Sequence, residues 1–189
     1  MRLRCSRHVQ SVMPLVSGET KVKEIDLHLL EQRLLAHDHV KAARVALNPA
    51  GELRVWVRQH QPVARVVRSR AADAYLTDEG LLIPVSPRFS ARVMTLSGPG
   101  AEALVLHEVP EKQLQELTQF LKYVYGDSFW FSQLIHAHVD EQLELALYQQ
   151  VGKQVIAFGT AEHFVQKLEK VIVFYEEIAP RRDGTLTSV

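Results

Sequence analysis

The stretch Glu52–Arg68, ELRVWVRQHQPVARVVR, carries two strand patterns in succession, and the place where it breaks decides the fold. In the first half, Leu53, Val55 and Val57 alternate with Arg54, Trp56 and Arg58, the period of two that marks a half-buried strand. The second half, PVARVVR, opens a new strand after Gln61–Pro62. That junction divides the chain into two blocks, 1–61 and 62–189.

Upstream of the junction, HVQSVMPLV (His8–Val16) is a weak helix or turn candidate with Pro14 inside it. A clearer helix starts at Asp26, which can cap free N–H groups, while Ile25 can staple onto Leu30. Leu27, Leu30 and Leu34 then recur at helical spacing. Ala43, Val45 and Leu47 alternate as a strand, and NPAG (Asn48–Gly51) is turn chemistry. The block reads helix, helix, strand, strand.

Downstream, YLTDEGLLIPVS (Tyr75–Ser86) reads as a hairpin. Tyr75 and Leu76 lead in, Asp78-Glu79-Gly80 turns, Leu81-Leu82-Ile83 returns, and Pro84 and Pro87 stop further pairing. RVMTLSG (Arg92–Gly98) is another strand. Pro110 starts a helix with Leu114, Leu117, Leu121 and Val124 on one face and Gly126 as its C-cap. QLIHAHVD and LELALY form an antiparallel pair, with Ile135, Ala137 and Val139 facing Leu143, Leu145 and Leu147. Val151-Gly152 turns into the strand KQVIAFG (Lys153–Gly159). A last helix spans Ala161 to Ala179, with Phe164, Leu168, Val171, Tyr175 and Ile178 as its apolar stripe and Pro180 as its stop. The fold class is α+β, with two helices on a mostly antiparallel sheet in this block.

Composition removes several functions. Lys+Arg and Asp+Glu both number 22, so the net charge is zero and a nucleic-acid partner is not expected. Arg54, Arg58, Arg65, Arg68 and Arg70 gather at strand spacing and read as a solvated face, with a functional basic patch as the other reading. The single cysteine, Cys5, allows no internal disulfide. No apolar run approaches the roughly 18 residues of a membrane span, so the chain as it stands reads as soluble. MRLRC has a basic start but no signal-peptide apolar segment after it.

Chemistry is equally sparse. His136 and His138 share one strand face about 7 Å apart, and His37 and His39 lie in a loop. Neither pair has a third zinc ligand fixed by sequence. There is no G-x-S-x-G elbow and no S-x-x-K pair. GPG (Gly98–Gly100) lacks the third glycine and following helix of a dinucleotide loop. Glu176-Glu177 sits at a helix end and reads as solvated. No cofactor, metal or catalytic residue is assigned. In DSFWFSQL (Asp127–Leu134) the consecutive Phe129, Trp130 and Phe131 cannot all face one way. They read as a hydrophobic plug at a helix-to-strand corner, with an aromatic anchor for a partner as the other reading.

Taken in order, these strings resemble one family. Residues Ile25–Val66 resemble the helix-helix-strand-strand POTRA module of the bacterial cell-division family FtsQ/DivIB. AYLTDEGLLIPVSPRFSARVMTLSG (Ala74–Gly98) resembles the opening of that family's β domain. DSFWFSQL, SPRFSARV and VIAFGTAEHFVQKLEKVIVFYEEI look most like the Bacteroidetes-type branch, and the resemblance covers Val9 to Ile178. It implies a non-catalytic divisome scaffold held in the inner membrane, with its bulk in the periplasm and FtsB and FtsL as partners. FtsB would add a strand to the C-terminal edge of the β domain.

Two departures bear on that reading. Only MRLRCSR stands where the family has a membrane helix and a first POTRA strand, and RRDGTLTSV stops where its final strand should begin. If that strand is absent, the docking edge shifts inward to KQVIAFG, the chain folds but binds its partner poorly, and the bared edge invites self-association. The contact residues expected on this basis are Lys153, Val155, Phe158, Lys167, Lys170 and Tyr175. Two alternatives stay open: a POTRA-containing envelope assembly or secretion protein, and an enzyme whose residues converge only in three dimensions.

Overall fold

The computed structural model describes residues 26–69, 71–87, 90–151 and 154–175. The chain divides into two compact units, Met1–Gln61 (unit 1) and Pro62–Val189 (unit 2), and each is described by itself. The His8–Val16 helix candidate, the Ile25 staple, Arg70, the Gly152 turn position and the Glu176–Pro180 helix end fall outside the described residues.

Unit 1 holds helix α1 (Leu27–Leu35) and the antiparallel strands β1 (Val40–Leu47) and β2 (Leu53–Gln59). Asp26 caps α1 by accepting the Leu29 N–H at 3.0 Å. Leu30 and Leu34 are buried with Val45 and Leu53, and Leu27, Ala43, Leu47 and Val55 pack around them. Glu31 fixes helix to strand by accepting the Val45 N–H through Oε1 at 2.7 Å. Asn48 closes the hairpin: its Oδ1 accepts the Glu52 N–H at 2.7 Å and its Nδ2 donates to Glu52 Oε2 at 2.8 Å.

Unit 2 is a seven-stranded sheet in the order β5-β4-β3-β6-β7-β8-β9. Its strands are β3 (Pro62–Val66), β4 (Ala74–Thr77), β5 (Leu82–Pro84), β6 (Met94–Ser97), β7 (Leu134–Val139), β8 (Leu145–Gln149) and β9 (Val155–Gly159). All pairings are antiparallel except β3–β6 and β6–β7. The mixed architecture is α+β.

Register makes the sheet two-faced. Ala74, Val66, Leu96, Ala137, Leu147 and Ile156 stand side by side across six strands, and Val66, Leu96, Ala137 and Leu147 are wholly buried. One residue along, the row is Tyr75, Arg65, Thr95, His136, Tyr148 and Val155. A period of two turns the apolar row inward and the more polar row outward. Tyr75 is the exception: it is buried, and its hydroxyl accepts the Ala91 N–H at 2.9 Å.

The helices are α2 (Pro99–Val105), α3 (Glu111–Gly126), α4 (Ser128–Gln133) and α5 (Phe164–Val173). Sequence reading anticipates α3 and α5; α2 and α4 are additional. Leu117, Leu121 and Val124 of α3 are buried as their spacing predicts, with Leu114 partly so. Gly126 is not the C-cap: it is the last helical residue, and Asp127 caps in extended backbone. The same Asp127 begins α4, accepting the Phe129 and Trp130 N–H groups at 2.9 and 3.0 Å, a cap that contributes about 1 kcal/mol. This turn separates the aromatic run. Trp130 enters the core, Phe131 meets Tyr125 edge-on, and Phe129 is exposed.

The predicted row Ile135, Ala137, Val139 is corrected at its start. A register irregularity between Leu134 and His136 puts Leu134 inside and leaves Ile135 46% exposed. Leu143 lies outside β8 at φ +62, although it still packs against the core.

Candidate functional site: the β9 edge

The sheet ends on two very different strands. At one end β5 has three residues, pairs Ala74 with Pro84, and terminates at that proline. Shortness and proline are two ways a sheet edge is made unable to accept another strand. At the other end β9 has five residues without proline and pairs only with β8 among the described residues. Its outer row of backbone groups is the margin of the described sheet.

Outward side chains reinforce the contrast. Val155 is 50% exposed and stands opposite Tyr148, itself exposed, so an apolar strip runs up to the margin. Val151, just before β9, is 76% exposed. Ala157, two residues on, is exposed and small.

The six residues expected to make contacts are placed as follows. Lys153 lies outside the described residues. Val155 is on the outward side of β9. Phe158 points the other way, an odd number of residues from Val155, and is buried against Phe120 at a centroid distance of 5.1 Å. Its ring therefore shapes the site from beneath, and a docked strand would meet its backbone. Lys167 donates to the Thr160 carbonyl oxygen at 2.7 Å and lies 5.3 Å over the Phe158 ring, fastening α5 to the end of β9. Lys170 is exposed in the last turn of α5. Tyr175 donates to Gln149 Oε1 at 2.7 Å, which ties the stretch after α5 to the end of β8. Sequence reasoning missed Tyr148: alternation along β8 turns it outward, and cross-strand register sets it beside Val155.

Among the described residues histidines gather in two places, His37, His39 and His60 in unit 1 and His136 with His138 in unit 2. His136 and His138 share the outward face, and Ser97 Oγ stands 3.1 Å from His136 Nε2. Burial lowers the His136 pKa from its ordinary value, and the neighbouring His138 lowers it further. His39 is lowered by burial first and then by His37. Among the described residues no group of three His, Cys, Asp or Glu side chains is placed to hold a metal. An open groove of about 380 Å³ between α3 and the start of α5 has Lys112, Glu116, Glu162 and His163 on its walls. There Lys112 pairs with Glu116 at 3.5 Å and His163 approaches Glu162 at 3.6 Å. The arginine cluster is split as well: Arg54 and Arg58 belong to unit 1, while Arg65 in unit 2 is held by Asp73 at 2.6 Å.

A family model described as FtsQ/DivIB, C-terminal related, matches residues 61–185. The chain belongs to that family. The match begins at Gln61, the last residue of unit 1, and so takes in the whole described sheet of unit 2. FtsQ/DivIB-type proteins are divisome-associated and non-enzymatic, and they are membrane-anchored with a periplasmic domain. Among the described residues of this FtsQ/DivIB-type chain, no helix is long and apolar enough to cross a membrane. Comparison with curated proteins gives no match.

Proposed function

We propose that the chain is a non-catalytic scaffold of the divisome, linking septal cell-wall synthesis proteins through protein contacts on the periplasmic side. In this reading unit 1 is a POTRA-like module, unit 2 is the β domain, and the protein is held at the inner membrane. The partners are the FtsB and FtsL type, with FtsB adding a strand to β9.

The observation that carries the reading is the contrast between the two sheet margins. β5 is short and ends in proline, whereas β9 has no second strand partner among the described residues and is bordered by Val155 and Tyr148. In strand addition, backbone hydrogen bonds supply affinity and alternate side chains supply choice. Val155 is the side chain a docked strand would lie beside, and Lys170 is the exposed cation of α5.

Titration calorimetry with an FtsB-type partner segment tests the proposal. Val155→Glu places a charge in the apolar strip and is expected to weaken binding at least about tenfold, a loss of about 1.4 kcal/mol. Its melting should stay within about 0.5 kcal/mol of the parent, because the site is exposed. Unchanged affinity in a variant that folds normally would remove β9 as the docking edge.

A further inference from the structure

The β1–β2 hairpin has a second face, turned away from α1. Strand register puts Ala42, Arg44, Ala46, Arg54, Trp56 and Arg58 on it. Arg44 stands directly opposite Trp56, while Arg54 and Arg58 lie on either side of Trp56 along β2 and opposite Ala46 and Ala42. Trp56 is 51% exposed, and all three arginines are exposed. Among the described residues no acidic side chain falls on this face. Glu31 is turned to the opposite side, where it accepts the Val45 N–H, and Glu52 is engaged with Asn48 in the turn. Among the described residues none of the three arginines has an ion-pair partner.

This is an unusual use of residues. An indole is among the most costly side chains to leave in water, and half-buried strands can hide it on their inner face at no loss of pattern. Here it lies between guanidinium groups with two alanines for neighbours. Same-face side chains lie about 7 Å apart along a strand and about 5 Å apart across a pair, so the three cations bracket one ring within a small flat area.

We propose that this outer face of β1–β2 docks onto an anionic bilayer surface, with Trp56 at headgroup level and Arg44, Arg54 and Arg58 on lipid phosphates. Tryptophan prefers the membrane–water boundary, where an apolar ring with one N–H meets both environments. A guanidinium offers planar, paired donors that match phosphate oxygens. An acidic peptide would need a groove or pocket to fix its side chains, and the small side chains Ala42 and Ala46 leave the face without raised walls. A leaflet needs none, because it presents phosphates over its whole area. Asn48 closes the hairpin that carries all four side chains on one face.

The test is vesicle flotation of the full chain in about 0.1 M salt. Vesicles of phosphatidylcholine alone are compared with vesicles holding about 30% phosphatidylglycerol. The chain should float with the anionic vesicles only, and tryptophan emission should shift to the blue. There are two tryptophans, and Trp130 is already buried, so the shift reports on Trp56 and should vanish in Trp56→Phe. Each Arg→Gln change at Arg44, Arg54 or Arg58 should lower the partition coefficient about fivefold, and the three together about a hundredfold. The triple Arg→Lys variant should retain most of the binding. Melting of every variant is measured alongside, and the single changes suffice if the triple variant melts early. Equal flotation with neutral vesicles would overturn the proposal. So would unchanged flotation of the folded arginine variants, or tighter capture of poly-glutamate or single-stranded DNA than of anionic vesicles. None of these outcomes bears on β9, which lies in unit 2.

Discussion

Replacing Gly98 by alanine is expected to destabilise unit 2 by about 4 kcal/mol, the sum of a backbone and a packing penalty. Gly98 sits at φ 100, ψ 174, a region essentially closed to residues with a Cβ. A Cβ there would also collide with the Val139 carbonyl oxygen and with the His138 ring, 2.7 Å from its Cε1. Backbone cannot yield as a flexible side chain does, so β7 or the start of α2 would have to move. Gly100, two residues on, is in the same position: its Cβ would strike the Asp140 carbonyl oxygen and come within 2.8 Å of Val139 Cγ1. The glycines of GPG thus let the N-terminus of α2 lie against β7, and that close approach is their role. Gly126→Ala is the contrasting case. Nothing lies within 4 Å of its missing Cβ and its φ is not positive, so that change should stabilise by about 0.5–1 kcal/mol. Urea denaturation of the three proteins at comparable m-values measures all of this, and a Gly98→Ala chain as stable as its parent would refute the close approach.

Phe120→Ala carries the other large effect, about 3–5 kcal/mol. Phe120 is fully buried on α3, with ring centroids of Phe158 at 5.1 Å and Phe164 at 5.9 Å. One side chain therefore joins α3, β9 and α5. Truncation leaves a cavity beneath the edge strand, and a close-packed interior collapses only partly to fill it. Denaturant midpoints should fall accordingly, and a loss below about 1 kcal/mol would mean that the site is not packed as described. The consequence reaches function because the ring of Phe158 holds β9 from below. A loosened core would blur the edge that a partner strand must match.

Much of the architecture is legible in the residues, and the illegible parts have physical causes. Helices α1 and α3 are long enough for leucine spacing to declare them, and Asp26 announces the first with its cap. The hairpins around Asn48 and Gly80 carry their turn chemistry in the sequence, and Gly80 takes the positive φ its turn requires. Helix α2 is seven residues and α4 is six, too short for periodicity to rise above chance, so GPG shows no following helix in the sequence and DSFWFSQL reads as a plain corner. Strand order is hidden for a different reason. Nothing in PVARVVR or RVMTLSG says that β3 and β6 run parallel side by side, because each pattern records burial and not its neighbour. Strict alternation from Ala137 places Ile135 inward, and one register irregularity reverses that.

The candidate site was half legible. KQVIAFG stands out as a strand, and the resemblance points to it as the docking edge. Which side chains border that margin depends on pairing across the sheet. Register sets Tyr148 beside Val155 on the outward face and sends Phe158 into the core. No reading of β9 alone would supply Tyr148.

Amide hydrogen exchange of the full chain, with and without a saturating FtsB-type partner segment, tests the central claim most directly. Strand addition predicts slowed exchange across Val155–Gly159, with Leu82–Pro84 at the opposite margin left unchanged. Saturated binding with β9 exchanging as freely as before, or with the protection gathered at β5, would contradict it.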